Sequence, residues 1–258
     1  IRTPVGNFKG TLAAVRPDDM AAMTIAELVK RNPSLDTKNI GDAILGNANG
    51  AGEENRNVAR MSALLAGLPH SVPGETVNRL CSSGIATAIH ASRSLKLGDS
   101  NVMIAGGVES MSRAPYVISK SPQPWGNSGE MFDSAFGWRF VNPKMKEMYG
   151  TDGMGNTAEN LVELYGVSRE DQDKFAFWSQ SKAAKATQNG RLAKEIMPVV
   201  IPQRKKDPII FSQDEFIRPG TSMEGLAGLR AAFKKDGSVT AGNSSGLNDG
   251  ACSVLLAH

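Results

Sequence analysis

The chain has 258 residues, 40% of them apolar and 6% aromatic, with 27 glycines and a formal charge of +3 from 29 basic and 26 acidic side chains. That length accommodates one large domain or two ordinary ones with a sizeable core, and many glycines with few aromatics suit an α/β architecture of tight strand-helix junctions. The small, dispersed basic excess does not indicate nucleic acid and is equally consistent with a phosphorylated small ligand, and no run of about 18 apolar residues could cross a bilayer. The opening Ile1-Arg-Thr-Pro4 reads as the end of a strand entering a loop, which points to an incomplete amino terminus rather than a targeting segment. After a glycine- and threonine-rich stretch to residue 16, Asp18 and Asp19 precede an apolar-periodic run over 20–28, predicting a helix with acidic residues at its favourable end. Residues 32–36 break it. Residues 40–45 read as a short buried strand closed by glycines at 46 and 50. The segment 51–60 begins as a polar loop and runs into a helix through residue 65, and a turn at 69–73 leads to a strand over 75–80 that delivers Cys81. The following helix, to residue 97, is expected to bury Ile85, Ala88, Ile89, Ser92 and Leu95, with Gly98 ending it. Residues 102–105 are apolar, as in a strand covered on both sides, and strand, helix and strand in this order form a right-handed crossover.

Beyond Met111 the composition changes. Loops rich in proline, glycine and tryptophan, 119–130 among them, precede the segment 154–160, which leads into a helix through Tyr165. Ser168 and Asp171 form a capping box that opens a long helix over 169–188, stopped by Asn189-Gly190. Strands are expected at 196–201 and 209–211 around Arg204-Lys-Lys206, with a loop at 216–220. An excursion this long with its own helices implies an inserted lobe. The division is therefore 1–113 as a core, 114–245 as the inserted domain, and 246–258 as a returning strand in which Cys252 is a core residue. Two cysteines so far apart make neither a disulfide framework nor a metal-ligand pattern, so a reducing, cytoplasmic setting without a metal is expected.

Cys81 sits where a short extended segment meets a helix. Ser82, Ser83 and Gly84 are small enough for a sharp turn, and the helix beyond directs its unpaired N–H groups and positive end toward the sulfur. That placement favours a thiolate nucleophile. It is the logic of a nucleophile elbow, although the Gly-x-Ser-x-Gly form is absent; the plain alternative is a buried structural cysteine.

Asn78-Arg-Leu-Cys81-Ser-Ser-Gly84, Ile104-Ala-Gly-Gly-Val-Glu-Ser-Met-Ser112 and Thr240-Ala-Gly-Asn-Ser-Ser-Gly-Leu-Asn-Asp-Gly-Ala251 occur in this order. Together they resemble the thiolase family, the acyl-CoA:acetyl-CoA acyltransferases that cleave or form 3-oxoacyl-CoA. The resemblance spans the chain. It implies an α/β fold with a layered αβα core domain and an inserted α+β loop domain that binds coenzyme A, the second, C-terminal core domain being absent from this chain. It makes Cys81 the catalytic nucleophile that carries the acyl group as a thioester. By matching positions, Arg218 lies by the adenine and phosphate end of coenzyme A, Phe233 and Ala241 line the pantetheine tunnel, Ser245 lies near the pantetheine amide and thioester, and Met154 lies over the acyl pocket. A serine of the family at the nucleotide end falls on Gly225, so that contact is lost or replaced. The lesser alternative for Arg218 is a solvated loop arginine, whereas Arg204-Lys-Lys206 could steer a polyanionic coenzyme but reads more simply as a surface charge run. The polar segment 51–60 would then lie near the active-site floor and the dimer contact, or be a solvated cap.

A complete site needs a base and a second proton-transfer group. Among the three histidines, His70 lies in a turn, His90 mid-helix and His258 last in the sequence, and none is assigned that role. The Gly-His-Pro, Cys-x-Gly-Gly-Gly and Asn-Glu-Ala-Phe segments of the family do not occur in these residues, which suggests a fragment or a truncated product. No cofactor is bound permanently in the family; coenzyme A and acyl-CoA are substrates. Members are homodimers or homotetramers, with neither nucleic acid nor membrane as partner. Gly153 stands where acetoacetyl-type members have histidine, and segments 51–60 and 136–143 resemble 3-oxoadipyl-CoA thiolases, with Arg139 or Arg56 as a counter-charge for a terminal carboxylate. General fatty-acid 3-ketoacyl-CoA thiolase, acetyl-CoA acetyltransferase, and a non-catalytic coenzyme A-binding or assembly fragment are the alternatives; a ketosynthase shares the elbow but not the segment 240–251.

Overall fold

The computed structural model describes residues 1–127 and 129–258; Ser128, inside the loop expected at 119–130, lies outside the described residues. In chain order the elements are β1 (Gly6–Asn7), α1 (Pro17–Lys30), β2 (Ile40–Gly46), α2 (Val58–Leu65), β3 (Gly74–Val77), α3 (Ser83–Leu97), β4 (Val102–Ser110), β5 (Tyr116–Ile118) and β6 (Met131–Asp133). They continue with α4 (Pro143–Tyr149), α5 (Met154–Tyr165), α6 (Arg169–Gln188), β7 (Val199–Ile201), β8 (Ile209–Phe211), α7 (Met223–Ala227) and β9 (Asn248–Ala257).

The chain divides into two units. The first comprises Ile1–Ala114, Leu192–Glu215 and Leu247–His258, the second Pro115–Arg191 and Phe216–Gly246. The second lobe is thus not the single insertion over 114–245 expected from the sequence. Residues 192–215 return to the first unit because Val199, Ile201 and Phe211 join its apolar core. The backbone of Arg2 also pairs there, donating to the Glu195 carbonyl at 2.9 Å and accepting from the Met197 N–H at 2.8 Å.

The first unit is built on a five-stranded mixed sheet in the order β1-β9-β4-β2-β3. β2 runs parallel to both β3 and β4, whereas β9 is antiparallel to β4 and β1. Successive side chains of a strand point to opposite faces, and both faces of β2 and β4 are covered. Ala43, Leu45 and Ile104 pack with residues of α1 and α2, and Ile44, Met103 and Ala105 pack with Ala86, Ala91 and Leu95 of α3. This is the layered α/β/α arrangement the apolar strands implied.

Helix α3 is rotated from the expected face. Ser83, Ala86, Thr87, Ala91 and Leu95 are buried, whereas Ile85 is 65% and Ile89 43% exposed. The cause is the closeness of helix and sheet. A Cβ on Gly46 would lie 2.7 Å from the Ser83 carbonyl carbon, and the Thr87 hydroxyl donates to the Gly106 carbonyl at 3.0 Å. Only small side chains fit between them, so the isoleucines turn outward, each forgoing about 1–2 kcal/mol of burial. Cys252 is a second correction, since it is exposed rather than core. Along β9 the alternate residues Ala251 and Ser253 are buried, the latter with its hydroxyl 2.8 Å from that of Thr24 in α1. Cys252 and Val254 take the other face of the strand.

Arg2 clamps the start of the chain. Its guanidinium donates to both oxygens of Asp214 at 2.7 and 2.9 Å and to Glu195 at 2.9 Å, while the Val5 N–H adds a bond of 2.7 Å to Asp214. Burial alone would push Asp214 up, but the Arg2 hydrogen bonds, the Val5 N–H and the Arg2 charge outweigh it and hold the carboxyl below its usual range. A carboxyl lowered in the folded state supplies stability that is present above the unfolded value of about 3.9 and is lost as pH falls through the folded one. Asp214→Asn is expected to lower the unfolding free energy at neutral pH by about 2 kcal/mol, as read by urea denaturation. Its difference from wild type should narrow in titrations run below about pH 4.

Candidate active site

Cys81 lies between β3 and α3 and is exposed as a free thiol. The turn that carries it contains an unusual backbone. Leu80, immediately before the cysteine, has φ +51°, a left-handed conformation that costs a non-glycine residue about 1–2 kcal/mol. Hydrogen bonds at both of its peptide groups hold it there. The Leu80 N–H donates to Asn78 Oδ1 at 2.9 Å, and its carbonyl accepts from the Ser83 hydroxyl at 2.6 Å and the Ser83 N–H at 3.0 Å. The same hydroxyl accepts from the Arg79 N–H at 2.9 Å. At about 1 kcal/mol net for each bond, the set outweighs the strain. Ser82, the N-cap of α3, makes no side-chain cap bond, so its hydroxyl does not compete for the N–H groups at the helix start beside the thiol.

The histidines are placed elsewhere in the first unit. His90 Nδ1 lies 3.6 Å from Glu75 in an ion-pair position, the carbonyl of His70 accepts from Arg60 at 3.2 Å, and the His258 N–H donates to Asn101. Among the described residues, no group of three or more histidine, cysteine or acidic side chains is arranged to hold a metal. No helix there is long and apolar enough to cross a membrane.

The residues carried over to coenzyme A binding all belong to the second unit. Met154 opens α5 and is 77% exposed; Phe233 is 43% exposed. The Phe233 ring lies against Gly155, the residue after Met154, where any Cβ would overlap it. Ala241 and Ser245 are exposed on one loop. Arg218 is exposed, with its N–H donating to Gln180 Oε1 at 2.8 Å and its carbonyl accepting from the Thr221 hydroxyl at 2.8 Å. Gly225, the position matched above to a family serine, gives its N–H to Ser222 at 3.1 Å, the cap of α7.

Two buried carboxylates shape these loops, and sequence reasoning passed over both. Glu159 of α5 is 3% exposed and accepts from the N–H groups of Ser238 at 2.9 Å and Val239 at 2.7 Å. Asp173 of α6 is 2% exposed and accepts from Arg169 at 2.8 Å and from Asn243 Nδ2 at 2.9 Å. Asn243 then accepts from the Thr240 N–H at 2.7 Å, closing the loop that carries Ala241 and Ser245. The signal was available in part: the capping pair Ser168 and Asp171 marked the helix start, but nothing in the sequence marked Asp173 as facing inward.

With this geometry in place, the comparison with known sequences is decisive. The profile described as "Thiolase, N-terminal domain" matches residues 1–258. The chain belongs to the thiolase family. Among its relatives, the thiolase chain is 56% identical over 257 residues to the "Beta-ketoadipyl-CoA thiolase" of Acinetobacter baylyi. It is 54% identical to the "3-oxoadipyl-CoA/3-oxo-5,6-dehydrosuberyl-CoA thiolase" of Escherichia coli. Each match covers 100% of this chain and 64% of the relative, so the chain spans less than two thirds of the length of these proteins. The crystal structure of the Bacillus anthracis acetyl-CoA acetyltransferase superposes with a TM-score of 0.88 at 41% identity, again over 100% of this chain and 64% of that one. The thiolase-like architecture expected from the motifs is therefore the observed one.

The elbow is testable independently of activity. Ser83→Ala removes the hydroxyl that serves Arg79 and Leu80, and is expected to lose about 1–2 kcal/mol in urea denaturation. Ser82→Ala, which deletes a side chain without a cap bond, should stay within about 0.5 kcal/mol of wild type.

Proposed function

We propose that this chain provides the nucleophile and the coenzyme A-binding residues of a thiolase that converts 3-oxoadipyl-CoA and CoA to succinyl-CoA and acetyl-CoA. The observation that carries the reading is the exposed Cys81 thiol on a left-handed turn at the uncapped start of a helix. In the reaction, Cys81 Sγ adds to the C3 carbonyl of the substrate. The C2–C3 bond then breaks, and the two-carbon fragment leaves as acetyl-CoA once its carbanion has taken a proton. The succinyl group stays on Sγ as a thioester until the sulfur of a second CoA takes it, which divides one difficult transfer into two easier ones. The N–H groups at the start of α3 are suited to stabilise charge developing beside the thiol. The base and the acid of this cycle are not assigned to His70, His90 or His258.

Arg218 serves the nucleotide end of coenzyme A, where a guanidinium can pair with phosphate or stack on adenine. Phe233, Ala241 and Ser245 serve the pantetheine arm, and Met154 the acyl group. The substrate preference rests on 54–56% identity to relatives named for ketoadipyl- or oxoadipyl-CoA, against 41% to the acetyl-CoA acetyltransferase, and on Gly153 in place of histidine. Arg139 and Arg56 are the candidate partners of the terminal carboxylate. The protein acts in the cytoplasm as a homodimer or homotetramer, a reading supported by the apolar surface that Leu80, Ile85 and Ile89 leave exposed.

Incubation with acetyl-CoA followed by peptide mass spectrometry is expected to place one acetyl group on Cys81 and none on Cys81→Ala protein. Acetylation elsewhere with Cys81 unmodified would sink the proposal. In steady-state assays kcat/KM should favour 3-oxoadipyl-CoA over acetoacetyl-CoA by about tenfold or more, and equal values would remove the dicarboxylate assignment.

A further inference from the structure

The peptide joining Ala48 to Asn49 follows the carboxyl end of β2 and bonds in two directions. Its N–H, that of Asn49, donates to Glu109 Oε1 at 3.2 Å, while its carbonyl accepts from Asn78 Nδ2 at 3.0 Å. The neighbouring Ala48 N–H donates to Glu109 Oε2 at 2.8 Å, and Asn47 Nδ2 approaches Oε1 at 3.3 Å. Asn78 is the residue whose Oδ1 accepts from the left-handed Leu80. An unbroken path of hydrogen bonds therefore runs from Glu109, near the end of β4, through this peptide and Asn78 to the residue before Cys81. Burial pushes the Glu109 carboxyl above its usual range, the N–H groups of Ala48 and Asn49 pull it down, and Glu54 adds a smaller upward push. An acid kept in surroundings that disfavour its charge is held by what it binds, and here that is the loop under the elbow.

We infer that Glu109 and Asn78 are positioning residues for Cys81, acting together through the peptide between Ala48 and Asn49. The inference takes Cys81 as the nucleophile from the proposed function, but it concerns the geometry of the thiol and can be read without acyl-CoA. Asn78→Asp keeps an acceptor for Leu80 and loses the donor to Ala48, so it cuts the path at one point on an exposed residue. Glu109→Gln keeps size and shape and replaces one acceptor oxygen by a donor facing N–H groups.

The test is the rate of Cys81 alkylation by iodoacetamide as a function of pH, resolved from Cys252 by peptide mass spectrometry, with thermal melts on the same samples. Each variant should alkylate at Cys81 about five- to tenfold more slowly than wild type at neutral pH, and the double variant no more slowly than the single ones. Cys252 should be unaffected and the variants should remain folded. Wild-type rates at Cys81 in folded Glu109→Gln, or effects that multiply in the double variant, would overturn the coupling. Should Glu109→Gln fail to fold, normal alkylation in Asn78→Asp overturns it alone. A coupled result together with a wild-type Cys81 that takes no acetyl group from acetyl-CoA would leave the positioning standing and remove the thiolase reading.

Discussion

The position of Cys81 depends on the absence of a side chain at Gly46. Because the Ser83 backbone sits where a Cβ at that position would fall, α3 lies against β2 at a distance only glycine permits. Gly107 is similarly close, its Cβ position 3.0 Å from the Gly46 carbonyl oxygen. Gly106 leaves room for the carbonyl of Cys252 on the neighbouring strand. Gly46 sets the spacing between sheet and helix, while Gly106 and Gly107 let neighbouring strands of the sheet approach each other, and the spacing at Gly46 sets the small-residue face of α3. The turn between β3 and α3 must then close within a few residues, and the left-handed Leu80 is the result. A change at Gly46 would act on the thiol without touching it.

The two units are stabilised in different ways. The first has a broad apolar core from Leu12 to Ala251, in which burial provides the dominant favourable term. In the second, the buried apolar residues among those described are small or scattered, such as Ala135, Ala184, Leu226 and Val239. Order there rests on carboxylates that satisfy backbone and side-chain donors, Glu159 on residues 238 and 239 and Asp173 on Arg169 and Asn243. A buried carboxylate that lost one of these partners would be left with an uncompensated desolvation penalty. Such ties fix the loop bearing Ala241 and Ser245 more narrowly than apolar contact would.

Much of the fold was legible in the sequence. The capping box and the Asn189-Gly190 stop placed α6, first-turn acidic residues with apolar periodicity placed α1, the apolar runs placed β2 and β4, and the three motifs named the family. What escaped was decided by tertiary distance. Periodicity favoured the isoleucines as the buried face of α3, because it weighs hydrophobicity and cannot see that the sheet approaches too closely for a branched side chain. Cys252 follows a strict two-residue alternation, and nothing in its neighbours revealed which parity faces α1. The return of residues 192–215 was hidden because Val199, Ile201 and Phe211 are apolar in any unit. Glu109 lay inside a recognised motif, yet its hydrogen bonds to residues 48 and 49 join segments about sixty positions apart.

The sheet of the first unit carries a consequence for how the chain is made. β9 pairs with β1 on one side and β4 on the other, and the amino group of Ile1 bonds to the carbonyl of Ser253, 252 positions away. Synthesis delivers the amino end first, so a strand in the interior of the sheet is the last to arrive. Until it does, β1 lacks its partner and β4 presents an open edge of apolar residues, the kind of surface that invites wrong pairing. The second unit, complete at Gly246, can settle before then. The edge of β4 therefore stays open during synthesis until residues 248–257 emerge, the interval in which shielding by chaperones would matter most.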